Sequence, residues 1–345
     1  MTAREKLRGA IVGCGMIAEF HLRSWARIPE VEIVGLVDPN LAAAERYRIA
    51  YAPTARIYGD LTAMLAAEQL DFLDIATPPS THMAHCLQAK EANLHVICQK
   101  PLCDELSDAQ MLVSSFAASS KLFCVHENHV YRPWFQQVRA LHRENFFGPL
   151  RWLRLEQNDP SAPPQKASRE AKRGVLLEYG VHLADMIRAL LGPPERVSAQ
   201  LRRVHPDIRG ESLAHVAFEY PEGTAVVDIA WKNGGFAQGG ALFLGDQGEA
   251  FYHGTMIRGG KSSFRLAQGD RVYLDESRDT VADYVESFHS FQLAFVAAVN
   301  AGAPCPQPAT ENLRTLEMIF AAYESAETGR GVCFSEFCAA YQPTK

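Results

Sequence analysis

The sequence has 345 residues, of which 47% are hydrophobic and 21% charged, as is typical of a globular protein with room for two domains. Its formal net charge of −6 and pI near 6.1 argue against nucleic acid or an anionic membrane as a partner. The polar first residues and the lack of a long apolar run lead us to expect a cytoplasmic protein without a membrane span.

The first predicted element is a buried strand that runs into the glycine turn Gly13-Cys14-Gly15-Met16-Ile17-Ala18. Gly13 permits a sharp turn, and Gly15 lets a pyrophosphate approach the backbone because it has no Cβ. Ala18 keeps the following helix close to the sheet, and the start of that helix attracts phosphate. The turn is predicted to bind a dinucleotide, although such short glycine patterns also occur in ordinary turns.

The second predicted strand, Val31–Val37, ends at Asp38. An acidic residue about 20 positions beyond a glycine turn can accept hydrogen bonds from an adenosine ribose. Its charge would repel a 2′-phosphate, so Asp38 favours NAD over NADP. The alternative is that Asp38 only starts a turn before Pro39.

Strands and helices keep alternating through a first domain of residues 1–128, which predicts a Rossmann fold with a doubly wound parallel sheet. Thr77, Lys100 and Asn128 each follow a predicted strand, and ligands bind at such carboxyl ends. Lys100 precedes Pro101 and can hydrogen-bond a substrate hydroxyl, whereas the alternative is a solvated loop lysine.

Residues 129–345 are predicted to form an α+β domain for substrate binding and oligomerisation. Strand-like runs without helices between them predict a large, mostly antiparallel sheet: 197–204, 213–220, 224–231, 241–244 and 250–253. The proline-containing segment 158–173 is predicted to be a long loop, either a functional lid or a mobile surface loop. Two closing helices are predicted over 288–299 and 313–326, and packing of these helices back on the first domain is one option.

A helix predicted over 175–191 carries Glu178, His182 and Asp185 at spacings of four and three, which place them on one face. His182 can transfer a proton near neutral pH, and a flanking carboxylate can orient its ring. Because the remaining positions are mostly apolar, we expect this acidic and imidazole face to line a cleft. The alternative is a polar stripe that faces solvent.

The eight cysteines show no C-x-x-C spacing. This favours buried or reduced thiols over zinc sites or disulfides, and no metal is expected.

As an ordered set, these motifs resemble the Gfo/Idh/MocA oxidoreductases, the relatives of glucose–fructose oxidoreductase and inositol dehydrogenase. The resemblance is carried by the glycine turn, by 76–79 with His82, by Gln99-Lys100-Pro101 and by 180–185. It implies an NAD(P)-dependent enzyme that oxidises a secondary hydroxyl of a sugar or cyclitol, or reduces the matching ketone. It also implies a homodimer or homotetramer, formed through the exposed face of the antiparallel sheet.

The resemblance also implies roles for single residues. Lys100 falls on the lysine of the family's E-K-P motif, which contacts cofactor and substrate, and His182 falls on the catalytic acid/base. Gln99 stands where Glu is common and Glu178 where Asp is usual, so both positions depart from the family pattern. The remaining cofactor-binding residues are Thr77, Pro78, His82, Gln99 and Asn128, and the remaining substrate-binding residues are Asn128, Arg132 and Glu178. Glu178 is also predicted to be catalytic, together with Lys100 and His182.

The resulting hypothesis is that His182 takes the hydroxyl proton while hydride leaves the same carbon for C4 of the nicotinamide. Lys100 would stabilise the developing alkoxide. Two other functions fit the sequence: an NAD-dependent glycosidase that oxidises C3 transiently, and a non-catalytic sensor that binds the nucleotide as a ligand. Four basic residues would suit a carboxylated sugar or simply belong to an exposed loop: Lys166, Arg169, Lys172 and Arg173.

Overall fold

The computed structural model describes residues 6–161, 163, 166–232, 234, 237–255, 260–302 and 305–341. The chain divides into two units. The first comprises Met1–Asn128 and Val285–Leu313, and the second comprises His129–Tyr284 and Arg314–Lys345.

The first unit contains a six-stranded parallel sheet made of β1 (Leu7–Val12), β2 (Val31–Val37), β3 (Arg56–Tyr58), β4 (Phe72–Ile75), β5 (His95–Gln99) and β6 (Phe123–His126). Its helices are α1 (Ala18–Trp25), α2 (Leu41–Tyr51), α3 (Leu61–Ala67), α4 (Pro79–Glu91) and α5 (Leu106–Ser115). The spatial order β3-β2-β1-β4-β5-β6 reverses direction at β1. Ligands of such sheets bind at the carboxyl ends of the strands, beside this reversal.

The second unit contains a nine-stranded sheet made of β7 (Leu150–Asp159), β8 (Arg196–Arg202), β9 (Leu213–Tyr220), β10 (Gly223–Trp231), β11 (Gln238–Gly245), β12 (Glu249–His253), β13 (Lys261–Gln268), β14 (Arg271–Asp279) and β15 (Val332–Cys333). The spatial order is β14-β13-β12-β11-β7-β10-β9-β8-β15. The β7–β10 pair is parallel, and the other neighbouring pairs in this order are antiparallel. The predicted fold class, a Rossmann sheet followed by a large and mostly antiparallel sheet, is therefore confirmed.

The remaining helices are α6 (Pro133–Arg143), α7 (Lys166–Glu170), α8 (Val181–Leu191), α9 (Thr280–Ala301), α10 (Ala309–Thr328) and α11 (Phe334–Ala340). A 3₁₀ turn covers Asn128–Tyr131, and a π-helical turn covers Leu176–Gly180. Within the described ranges, none of the helices combines the length and the apolar character needed to cross a bilayer.

Two parts of the second unit differ from the expected elements. The segment predicted as a long loop over 158–173 contains the end of β7 and the short helix α7. Strands β13 and β14 were not expected, and β14 shows the physical reason. Its side chains alternate between exposed and half-buried, so the strand lacks the apolar run by which buried strands are found.

The expectation that the cysteines are unpaired is wrong for two of them. The structure joins Cys124 in β6 to Cys305 by a disulfide within the first unit. The two residues are 181 positions apart, and a pairing over that distance has no spacing signature in the sequence. The other six cysteines are free, and four of these lie buried as expected: Cys14, Cys86, Cys98 and Cys103.

His126, at the end of β6, is a buried polar side chain in an aromatic environment. It is completely buried, and its ring nitrogens have no hydrogen-bond partner among the described residues. The ring lies 4.4 Å from that of Phe291 and 4.6 Å from that of Phe288, measured between centroids. Burial holds the pKa of His126 well below its ordinary value of 6.5. The unfolded chain therefore binds more protons below that pH, and folding stability declines as the pH falls.

We expect His126→Phe to raise the free energy of unfolding by about 1 kcal/mol or more, because a buried polar group without a partner is replaced by an apolar ring. The variant should also lose stability less steeply below about pH 6.5, since phenylalanine binds no proton. Urea unfolding above and below that pH measures both effects. His82→Phe is the control, because the ring nitrogens of His82 face backbone carbonyls, and this variant should be destabilised. A destabilised His126→Phe would contradict the prediction.

Candidate functional site

The glycine turn after β1 has the backbone geometry that a dinucleotide requires. Gly13 has a φ of +92°, and a Cβ added there would lie 2.7 Å from the carbonyl oxygen of Ala76. A Cβ added at Gly15 would meet no atom within 4 Å. The hydroxyl of Tyr47 donates to the carbonyl oxygen of Gly15 at 3.0 Å and holds the turn in place. The turn therefore fits a pyrophosphate that lies against its backbone.

The residues between and beyond these glycines have different surroundings. Met16 is 58% exposed, whereas Cys14 is buried. Burial raises the pKa of the Cys14 thiol to about 12, so this group remains protonated at neutral pH. Ile17 is the N-cap residue of α1. Cys14 thus contributes its backbone N–H to the turn and no thiolate chemistry.

Asp38, directly after β2, ties the glycine turn to the neighbouring strand end. Its Oδ2 accepts a hydrogen bond from the N–H of Cys14 at 2.7 Å, and its Oδ1 accepts one from the N–H of Asn40 at 2.7 Å. The side chain is only half-buried, so its carboxylate can accept further hydrogen bonds. This arrangement fits the ribose hydroxyls of NAD.

Thr77, Lys100 and Asn128 follow β4, β5 and β6, which are adjacent in the sheet. The structure therefore places the three residues along one carboxyl edge, as expected. The Thr77 hydroxyl accepts a hydrogen bond from the Thr81 hydroxyl at 2.8 Å. The Asn128 amide donates to the hydroxyl of Ser287 at 2.8 Å and is buried. Lys100 is half-buried, and its peptide bond to Pro101 is cis.

His82, in α4, holds two of these strand ends together. Its Nε2 lies 2.8 Å from the carbonyl oxygen of Thr77, and its Nδ1 lies 3.0 Å from that of Pro101. The ring is completely buried, and burial lowers its pKa. Pro78, the N-cap residue of α4, lies between Thr77 and His82 in the sequence. These contacts give the His82 ring a role in supporting the strand ends, and its predicted contact with a cofactor stays a prediction.

In the second unit, the helix predicted over 175–191 is interrupted. Residues Leu176–Gly180 form a π-helical turn, and the regular helix α8 begins at Val181. A Cβ at Gly180 would lie 2.6 Å from Cδ1 of Leu176 and 3.2 Å from Cδ1 of Ile229 in β10, so a larger residue there would displace these side-chain ends. The expectation of one regular helix is wrong, and the spacing argument that put Glu178 on the face of His182 no longer applies.

His182 is 4% exposed, and its imidazole stacks on that of His129. The ring centroids are 4.0 Å apart, and the ring planes are inclined by 24°. His129 lies in the 3₁₀ turn directly after Asn128 and is also buried. Sequence reasoning missed His129, whose one available signal was its place next to a predicted strand-end residue.

Asp185 connects α8 to α10 inside the second unit. Its Oδ1 accepts a hydrogen bond from the hydroxyl of Thr315 at 2.6 Å and one from Nη2 of Arg188 at 3.0 Å. Nε of Arg188 donates in turn to the Thr315 hydroxyl at 2.8 Å. These contacts show that Asp185 anchors α8. That Asp185 also orients the His182 ring stays a prediction.

The other residues predicted to contact substrate in the second unit have different exposures. Glu178 is half-buried. Arg132 is completely buried, with its guanidinium 5.0 Å from the ring centroid of Tyr284. Burial lowers the pKa of Arg132. Arg132 is thus buried whereas Glu178 is half-buried, and the predicted contact of each with substrate stays a prediction.

The basic residues near this segment make contacts of their own. The guanidinium of Arg173 lies 4.5 Å from the ring centroids of Phe320 and Tyr323. Arg169 donates to the carbonyl oxygen of Pro163, and Lys166 pairs with Glu170. Three of the four basic side chains therefore have contacts within the chain, and the carboxylated substrate stays a prediction. In the part of the chain that the structure describes, no group of three His, Cys, Asp or Glu side chains could hold a metal ion.

Comparison with known proteins identifies relatives of both parts of the chain. Residues 7–127 match the model of an oxidoreductase family with an NAD-binding Rossmann fold, and residues 135–251 match the GFO/IDH/MocA C-terminal domain. The D-apiose dehydrogenases of Paraburkholderia graminis and Rhizobium rhizogenes are 30% and 28% identical, over 96% and 95% of this chain and 90% and 97% of theirs. An Agrobacterium radiobacter oxidoreductase, solved with NAD+, L-tartaric acid and magnesium, has a TM-score of 0.83 at 26% identity and covers 96% of this chain and 99% of its own.

Proposed function

The chain belongs to the GFO/IDH/MocA family of NAD-binding oxidoreductases, and on this basis we propose that its substrate is a small sugar, with D-apiose as the first candidate. It is an NAD-dependent dehydrogenase or reductase that acts on a hydroxyl-bearing carbon. One observation carries the choice of substrate. Two D-apiose dehydrogenases match at least 95% of the chain, so the similarity includes the second unit as well as the Rossmann unit.

We assign the cofactor to the first unit. The glycine turn would receive the pyrophosphate, and Asp38 would accept hydrogen bonds from the adenosine ribose. Thr77, Lys100 and Asn128 would border the nicotinamide, because they share one carboxyl edge of the sheet. Bound NAD supplies the hydride acceptor, C4 of its nicotinamide ring.

We assign proton transfer to His182. Its imidazole accepts the proton of the substrate hydroxyl while the C–H electrons of the same carbon leave as hydride and a carbonyl forms. The Lys100 ammonium donates a hydrogen bond to that oxygen and stabilises the negative charge that develops on it. Glu178 would accept a hydrogen bond from another substrate hydroxyl. Asn128 and Arg132, which are buried, would lie around the bound substrate.

A substrate screen tests this function. Purified protein with NAD is expected to form NADH with D-apiose at least about tenfold faster than with myo-inositol or a uronate, as a pocket shaped for one sugar allows. Absorbance of the reduced nicotinamide gives the rate. Turnover of another sugar but not D-apiose would reject the substrate, and no reduction with any of them would reject the reaction. The D-apiose dehydrogenases support neither the glycosidase nor the sensor alternative.

The choice between NAD and NADP is proposed to depend on Asp38. We expect Asp38→Ala to weaken NAD binding by about tenfold, because hydrogen bonds to a charged group are lost. NADP binding should strengthen, because the negative charge that repels its 2′-phosphate is gone. Calorimetric titration with both nucleotides measures the two effects. Asp60→Ala, which removes the N-cap of α3, is the control with unchanged preference, and an unchanged preference in Asp38→Ala would contradict the assignment.

Self-association through the second unit is proposed from its exposed sheet face. Trp152 in β7 is 41% exposed, and Phe251 in β12 is 43% exposed. Leu242 in β11 pairs with both Arg154 and Phe251, which puts Trp152 and Phe251 on the same face. We expect light scattering to give the mass of a homodimer or homotetramer, and a lower mass for the Trp152→Glu and Phe251→Glu variants. A monomer mass for the unaltered protein would reject the proposal.

A further inference from the structure

A buried set of hydrogen bonds, here named the Gln99 network, connects Lys100 to α1. The backbone N–H of Lys100 donates to Oε1 of Gln99 at 2.8 Å, and Nε2 of Gln99 lies 2.9 Å from Nε2 of His21. Nδ1 of His21 lies 2.8 Å from Oδ2 of Asp74, which also accepts a hydrogen bond from Nε1 of Trp25 at 2.8 Å. His21 and Asp74 are completely buried, and Gln99 is 5% exposed.

The direction of every hydrogen bond in this network follows from its first donor. A backbone N–H can only donate, so the oxygen of the Gln99 amide must face Lys100 and its NH₂ group must face His21. The Nε2 of His21 must then accept, which leaves the ring proton on Nδ1. That proton is donated to Asp74. A neutral amide at position 99 therefore determines the tautomer of a buried histidine.

The surroundings hold the His21 ring in one position. The ring centroid lies 4.4 Å from that of His126 and 5.1 Å from that of Phe288. The side-chain amide of Gln292 donates to the backbone carbonyl oxygen of His21 at 3.3 Å. Two further titratable groups pack near the network. Burial lowers the pKa of His126 well below its ordinary range and raises that of Cys98 well above it, so both remain neutral.

The network also connects Lys100 to the helix that follows the glycine turn. His21 and Trp25 are one turn apart on α1, and both donate to the same oxygen of Asp74 in β4. The backbone of Lys100 is thereby attached to α1 through two buried side chains. A shift of Lys100 requires this network to break or to move as a unit.

We propose that Gln99 and His21 are positioning residues that hold Lys100 for its reaction, and that Gln99 does so by fixing His21 with its proton on Nδ1. This inference rests on the proposed function, in which Lys100 contacts the reacting oxygen. A glutamate at position 99 could still accept from the N–H of Lys100. It could not donate to His21, so His21 would have to carry protons on both nitrogens to bridge two carboxylates.

The first test is the protonation pattern of His21, which requires neither substrate nor turnover. In the unaltered protein labelled with ¹⁵N-histidine, two-bond ¹H–¹⁵N spectra should show His21 protonated at Nδ1 alone. The Gln99→Glu variant should show both nitrogens protonated. Loss of the signals in His21→Asn assigns them. Protonation at Nε2 in the unaltered protein, or an unchanged pattern in Gln99→Glu, would overturn the inference.

The second test separates positioning from a structural role. Gln99→Leu, which removes both hydrogen bonds, should lower kcat by about 10- to 100-fold, since small displacements of a reacting group cost this much, while KM changes by less than about threefold. The kcat of Gln99→Glu should lie at least about halfway, on a logarithmic scale, between the kcat of Gln99→Leu and that of the unaltered protein. The reason is that glutamate restores the acceptor for the backbone N–H of Lys100. Equal kcat in Gln99→Leu and the unaltered protein, or no recovery in Gln99→Glu, would overturn the inference. If none of the tested sugars supports NAD reduction by the unaltered protein, the proposed function is rejected instead.

Discussion

Replacing His182 by alanine is expected to lower turnover by about 10²–10⁴-fold while the affinity for NAD changes little. The reason is that the imidazole is the proposed acceptor of the hydroxyl proton, whereas the cofactor is assigned to residues of the other unit. Steady-state kinetics with the sugar substrate give the change in kcat, and fluorescence titration gives NAD affinity. His253→Ala removes an exposed imidazole in β12 and serves as the matched control.

The stacked ring of His129 makes this prediction more specific. Two imidazolium ions 4 Å apart would repel each other by roughly 4 kcal/mol at an effective dielectric constant of 20, so a proton on one ring disfavours a second proton on the other. His129 is therefore the stacking partner of the imidazole to which the reaction assigns the proton. Turnover of His182→Ala that equals that of the His253→Ala control would remove His182 from the mechanism.

The geometry of the proposed cofactor half of the site could be predicted because its parts are close in sequence. The glycine turn and Asp38 are separated by a single helix and strand, and adjacent parallel strands place their carboxyl ends side by side. The hydrogen bond from Cys14 to Asp38 is a direct result of that arrangement. Strands that alternate with helices, followed by strands without helices between them, were enough to predict the type of each sheet but not β13 and β14.

Side-chain contacts between distant elements could not be predicted in the same way. The π-helical turn before α8 exists where Gly180 packs against Ile229, a residue 49 positions later, and no periodicity in 175–191 signals it. The stacking of His129 on His182 and the disulfide of Cys124 also depend on tertiary packing. The Gln99 network follows the same rule, since its members come from α1, β4 and β5.

Replacing Lys100 by methionine is expected to lower kcat by about 10²–10³-fold, the usual cost of removing one donor that stabilises a developing oxyanion. Methionine keeps most of the length and the apolar stem of lysine but has neither charge nor donor. The backbone N–H of residue 100 remains, so the hydrogen bond to Gln99 is retained. The loss therefore reports on the ammonium group and not on the Gln99 network.

The control is Lys90→Met, near the C-terminal end of α4, because it removes a lysine of the same unit away from the strand ends. It should leave kcat within about twofold of the unaltered protein, because Lys90 lies outside the residues assigned to the reaction. A reduced kcat in Lys100→Met with the thermal stability of this control places the defect in the reaction. If Lys100→Met turned over as fast as Lys90→Met, the developing charge would have to be stabilised elsewhere, and the assignment of Lys100 would be wrong. Comparison with Gln99→Leu then separates the two contributions, because that variant keeps the ammonium group and loses only what holds it in place.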